Sequence, residues 1–204
     1  MTIVLIAAAL LLIAVIVAQA LIPRIGEHRL ERRLTESGGE AFVAIDVFPA
    51  TRLLRHDGDR IRVRGRELGI GMSKQGGGLS ALDGFGEVDI VLMDFVTGPF
   101  EIEEFELTRV GSGPYVMRSV ATTSGAALAD YGGETLGSLG PLLGLVAQAP
   151  LGGRSFPVSV EVELESRDGL LAVASGGGTI AGYPAGPIAP LIAGAVARRL
   201  EISH

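Results

Sequence analysis

The chain has 204 residues, a net charge of −6 and a pI near 5.1, so it lacks the basic footprint of a nucleic-acid-binding protein. It contains no Cys and no Trp, which excludes disulfides, thiolate metal sites and Cys nucleophiles and leaves little material for base stacking. The length fits one domain with a real core, and 30 Gly point to many turns or close backbone approaches.

Residues 2–22 carry no charge, and 3–17 form an unbroken apolar run that ends at Ala18-Gln19-Ala20, a signal-peptidase-like site. A signal peptide needs an apolar region of roughly 7–15 residues, and a spanning helix about 20. Residues 1–22 therefore read as a signal peptide or an uncleaved membrane anchor, with a buried core helix as the third reading. Either of the first two places the rest of the chain in the cell envelope, on the exported side of the plasma membrane. The charge distribution pulls the other way. No Lys or Arg precedes the apolar run, while Arg24, Arg29, Arg32 and Arg33 follow it, and the positive-inside rule would keep the domain cytoplasmic. A misassigned start codon that removed a basic n-region would also give this pattern.

Residues 24–37 read as a basic helix: Ile25, Leu30 and Leu34 are apolar, Glu27 and Glu31 form a helical pair, and Gly38-Gly39 closes it. If the anchor is retained, this helix continues it onto the domain. The segments are thus 1–22, a basic helix or linker at 23–39, and a single domain at 40–204.

In that domain a strand is expected over 41–47, stopped by Phe48-Pro49, then one or two helical turns over 50–55 and a turn at Asp57-Gly58. Residues 59–68 alternate, with Ile61 and Val63 on one face and Arg60, Arg62, Arg64 and Arg66 on the other, the period of a half-buried strand. Gln75 to Gly78 is a flexible loop. Residues 87–94 alternate again through Val88, Ile90 and Leu92. Ile102, Phe105 and Leu107 oppose a Glu row, with a phase slip between Glu103 and Glu104 that predicts a bulge. A further strand covers 115–123. Within 124–149, Leu136, Leu139, Leu143 and Val146 have helical spacing broken by Gly140-Pro141. Val158, Val160, Val162 and Leu164 alternate with polar residues, Asp168-Gly169 turns the chain, and 170–174 returns as a hairpin. Ile188, Leu191, Ile192, Ala195 and Val196 place a closing apolar helix over 187–200. The class is α+β: a meandering antiparallel sheet with one apolar face and apolar helices to cover it.

No catalytic constellation converges. His28, His56 and His204 sit in unrelated contexts without ligand spacing, so no metal site is expected. There is no G-x-S-x-G elbow, and Gly111-Ser112-Gly113 reads as a turn. Gly76–Gly78 and Gly176–Gly178 lack the Lys-Ser/Thr of a phosphate loop and read as linkers or bends. The Arg row at 60, 62, 64 and 66 has two readings. It is a cross-strand ladder with the Glu rows of 87–89, 101–106 and 161–165, or Arg60, Arg62 and Arg64 grip lipid phosphates. The sheet's apolar face is either an ordinary core or a groove for acyl chains. Small Ala and Gly residues dominate the helices that would fill it, and each buried acyl methylene contributes ~0.8 kcal/mol, so a few outweigh any exposed ion pair.

The segment Ile45-Asp46-Val47-Phe48-Pro49-Ala50-Thr51-Arg52-Leu53-Leu54 resembles the LmeA-like phospholipid-binding family of actinobacterial cell envelopes, where a strand runs into G-F-P-F-L-T-Q-L-L or similar. Phe48, Pro49, Leu53 and Leu54 fit that pattern, while Val47, Ala50 and Arg52 depart from it. The Val/Arg alternation of 60–68 and the return from Asp168-Gly169-Leu170 to Ser175-Gly176 are similar to the family's strands. The resemblance implies an elongated fold like the tubular lipid-binding (TULIP) proteins, and phospholipid held in an apolar groove without catalysis or cofactor. The expected lining is Phe48, Leu53, Leu54, Ile61, Val63, Ile90, Leu92, Leu139, Leu143, Val160, Val162, Leu191 and Ile192, with phospholipid and the membrane as partners. The alternative is an anchored scaffold domain with a fully packed core and no ligand.

Overall fold

The computed structural model describes residues 2–36, 38–69, 82–127, 154–167 and 170–184. The expected loop at Gln75 to Gly78, the helical stretch around Leu136 to Val146 and the closing helix at 187–200 lie outside the described residues, as does the turn at Asp168-Gly169.

The described part is an α+β fold dominated by one curved, unclosed sheet. A single helix, α1 (Thr2–Thr35), precedes β1 (Glu40–Asp46). A 3-10 turn (Ala50–Arg55) leads to β2 (Gly58–Arg66), β3 (Phe85–Thr97), β4 (Phe100–Val110) and β5 (Tyr115–Ser124). The sheet is completed by β6 (Ser155–Arg167), β7 (Leu170–Ile180) and the two-residue β8 (Tyr183–Pro184). Strands stand in sequence order, β1 through β8, because most connections are short enough to pair each strand with its predecessor.

One pairing corrects the expectation of a wholly antiparallel sheet: β2 and β3 run parallel, with Ile61 opposite Val88 and Val63 opposite Ile90. β3 therefore begins at the same end of the sheet as β2. Alternation reports which face a side chain takes but not the direction of its strand. The predicted bulge is present: the β4–β5 register shifts between Ile102 and Glu104. Gly176–Gly178, read as a linker or bend, lies inside β7, where a Cβ at Gly178 would collide with the Ser159 carbonyl oxygen of β6. Glycine here permits close strand approach rather than a turn.

The core occupies one face of the sheet. Val43, Ile45, Ile61, Val63, Val88, Leu92, Leu107, Met117, Val162 and Leu164 are buried together. Each such side chain contributes ~1.5–3 kcal/mol when fully buried, so this face carries much of the fold's stability.

The proposed boundary at residue 22 is not a break in structure: α1 runs through Pro23. A proline inside a helix removes a hydrogen bond and crowds the carbonyl one turn back, at a cost of ~3 kcal/mol. Here the half before the proline is pinned to the segment that follows β1, and the half after it to β1 itself. Gln19 donates from Nε2 to the Val47 carbonyl (3.2 Å) and accepts at Oε1 from the Ala50 N–H (2.8 Å). Beyond the proline, Glu27 Oε1 accepts from the Ile45 N–H (2.8 Å) and Glu31 Oε1 from the Val43 N–H (3.1 Å). Two outward N–H groups of edge strand β1, those of Val43 and Ile45, are thus satisfied by side chains of α1 rather than by another strand, which also blocks edge-to-edge pairing.

Candidate lipid-binding surface

The alternation of β2, β3 and β6 puts Ile61, Val63, Leu92 and Val162 into one buried cluster, with Leu53, Ile90 and Val160 half-buried against it. These seven of the expected lining residues are brought together. Phe48 and Leu54 are not: Phe48 precedes the 3-10 turn, Leu54 lies within it, and they are 74% and 71% exposed. Leu139, Leu143, Leu191 and Ile192 lie outside the described residues.

On the opposite face, the arginines of β2 meet acids of neighbouring strands. Arg60 pairs with Glu87, Arg62 with Asp46 (3.2 Å), Arg64 with Asp89 (2.6 Å) and Arg66 with Asp94 (3.4 Å). Arg60 and Glu87 stand directly opposite each other, whereas Arg62 and Arg64 reach diagonally, since Asp46 stands opposite Arg60 and Asp89 opposite Arg62. Farther along the sheet, Arg118 lies between Glu106 and Glu161, and the Glu161 carboxylate raises its pKa. The row is a cross-strand ladder, and Arg60, Arg62 and Arg64 each already hold a carboxylate.

A groove of about 940 Å³ opens at the end of the sheet where β1 finishes and β2 and β3 begin. The 3-10 turn overhangs it with Arg52, which bridges Asp57 (2.8 Å) and Asp59 (2.6 Å). Those hydrogen bonds push the Arg52 pKa up, and the Arg52 guanidinium holds the Asp57 carboxyl below the usual range. Across the groove, Arg109 is only 7% exposed. Its guanidinium donates to Tyr115 Oη (2.8 Å), Asp83 Oδ1 (3.2 Å) and the carbonyls of Leu82, Asp83 and Phe85, and lies 4.5 Å over the Tyr115 ring. Burial, followed by the hydrogen bond to Asp83, pushes the Tyr115 phenol well above its ordinary value. Arg109 fastens the turn before β3 to the β4–β5 hairpin, so its charge is committed to the protein. The groove lining includes Ser112 but no histidine, so it holds no Ser–His pair.

Arg109 was missed by sequence reasoning, although a signal existed. It shares strand parity with Leu107, so the alternation itself assigns this charged residue to the buried face. The predicted turn at Gly111-Ser112-Gly113 joins β4 to β5 as expected.

Among the described side chains, which in α1 begin at Val17, no helix is long and apolar enough to cross a membrane. Among the described residues, no group of three His, Asp or Glu side chains is placed to hold a metal ion. No protein-family model, curated protein or solved structure matches the chain.

Proposed function

We propose that this chain is a non-enzymatic phospholipid-binding domain held at the plasma membrane of a bacterial cell envelope. The observation that supports the reading best is the union of two features in one fold. A sheet with a continuous apolar face is locked, along its edge strand, to the helix that carries the apolar run of residues 3–17. The first suits acyl chains, and the second keeps them within reach of a bilayer. In this reading the sheet curves around the apolar segments expected near Leu139–Leu143 and Leu191–Ile192, in the manner of TULIP proteins, and lipid enters between them. The similarity of the 45–54 segment to the LmeA-like family points the same way.

The test is native mass spectrometry of the full chain released from detergent, with analysis of its organic extract. A stoichiometric phospholipid adduct is expected. Val160→Phe enlarges a half-buried side chain on the apolar face and should reduce the adduct, whereas annular lipid around the helix would be unaffected. A clean protein mass after incubation with anionic vesicles refutes the proposal.

The second reading, an anchored scaffold with a packed core, is favoured by one observation: Ile61, Val63, Leu92 and Val162 are at most 9% exposed, covered by the chain itself. It predicts no adduct and no effect of Val160→Phe beyond a change in stability.

A further inference from the structure

We propose that the end of the sheet at which Gln19 docks is a bilayer-docking surface, with Phe48, Leu54 and Val110 as its immersed side chains. The inference rests on the membrane placement proposed above and specifies which surface faces the lipid.

The direction of α1 sets the geometry. Gln19 bonds at Val47 and Ala50, Glu27 at Ile45 and Glu31 at Val43, so the helix runs antiparallel to β1. Its earlier residues therefore project past the end where β1 stops. Residues 2–16 are helical, and at 1.5 Å per residue they extend roughly 22 Å beyond that end. This is the segment whose sequence is wholly apolar from residue 3 onward.

The same end carries the exposed apolar side chains. Val110 (77%), Phe48 (74%) and Leu54 (71%) are the three most exposed large apolar residues among those described. The strand registers put them at the same end of the sheet: Phe48 follows β1, Leu54 precedes β2, and Val110 ends β4 opposite Glu87 near the start of β3. On α1, Val17, Leu21 and Ile25 are also exposed at four-residue spacing, forming a stripe just above the projecting segment. Single exposed apolar residues need no explanation, but their concentration at the end from which an apolar helix projects does.

Charge fits an anionic surface. Among the described residues, Arg24 and Arg55, both near this end, form no ion pair, in contrast to the paired row on β2. The acids nearby hold guanidinium partners: Asp57 and Asp59 share Arg52, Asp46 pairs with Arg62, Glu87 with Arg60 and Asp83 with Arg109. Lipid phosphates would thus meet unpaired guanidinium groups on α1 and the 3-10 turn, with apolar side chains between them.

The absence of Trp supplies the assay. Leu54→Trp, Val110→Trp and, at the opposite end of β3, Val96→Trp each introduce a single reporter into the full chain, reconstituted in phosphatidylcholine–phosphatidylglycerol vesicles. Val96 is exposed in the native fold, so it serves as the control. Vesicles with brominated acyl chains should quench Leu54→Trp and Val110→Trp at least twofold and leave Val96→Trp unchanged. Equal, negligible quenching at all three positions overturns the proposal. Blue-shifted emission at 54 and 110 without bromolipid quenching also overturns it, because a protein partner or second copy would then cover the patch. Replacing Arg24 and Arg55 with Gln should lower the quenching in anionic but not in purely zwitterionic vesicles; no difference between the two removes the role of charge. The lipid adduct is read separately by mass. Quenching without an adduct leaves docking and removes the groove, and an adduct without quenching does the reverse.

Discussion

Replacing Glu27 with Ala should expose the Ile45 amide proton to exchange. That N–H points away from β2 and donates to Glu27 Oε1 at 2.8 Å. A hydrogen bond to a charged acceptor contributes ~1.5–3 kcal/mol, and Glu27 is half-buried, so the lower part of that range applies. At 1.4 kcal/mol per tenfold, local opening should raise the Ile45 exchange rate by about 10- to 30-fold. Val43, whose N–H donates to Glu31 at 3.1 Å, should respond in the same way to Glu31→Ala and only weakly to Glu27→Ala. Glu27→Gln keeps an acceptor of the same length and should recover part of the protection. Amide exchange followed by NMR on the full chain in detergent reads both sites, with Leu107 in the middle of the sheet as an internal reference. If Ile45 accelerates no more than Leu107 does, the carboxylate does not protect the edge of β1, and the coupling of α1 to the sheet must be sought elsewhere.

Arg62→Ala combined with Arg64→Ala removes two cross-strand pairs, which should lower stability in urea by less than about 2 kcal/mol and leave binding to anionic vesicles unchanged. Weakened binding would return the headgroup role to this row. Val162→Ala empties part of a fully buried site and should cost about 2 kcal/mol in the same titration, and a smaller effect would mean that the core collapses readily around it. Tyr115 carries a phenol whose folded pKa is raised, so its stabilisation is complete below the ordinary tyrosine pKa of 10.0 and is lost as pH rises above it. Alkaline titration followed by tyrosinate absorbance and circular dichroism should show Tyr115 ionising late, together with unfolding. Tyr115→Phe should flatten that dependence, and an unchanged alkaline profile would refute it.

Much of the sheet was legible because period-two alternation is local. Ile61 and Val63 opposite Arg60, Arg62 and Arg64 identified β2 and its two faces without any partner, and the slip at Glu103–Glu104 located the bulge, since one extra residue inverts the phase. The acid partners of the Arg row were only half legible. Glu87 and Asp89 belong to a row named from sequence, but Asp46 and Asp94 come within reach of Arg62 and Arg66 only once β1, β2 and β3 pair.

Other features arise only once the chain is folded. Glu27 and Glu31 look like an ordinary solvated pair on a helix, because an i, i+4 spacing fixes which face they share but not what lies opposite it. Docking on β1 turns them into acceptors for an edge strand. Gly176–Gly178 resembles a bend until β6 approaches too closely for a Cβ. The parallel step from β2 to β3 leaves no local trace, since strand direction is set by the path of the intervening residues. The sequence by itself determined the strands, their faces, the bulge and the apolar run of the first helix, all consequences of short-range periodicity. The tertiary structure alone decided where that helix attaches, which charges remain unpaired and which end of the sheet gathers the exposed apolar side chains, because each depends on contacts between residues far apart in the chain.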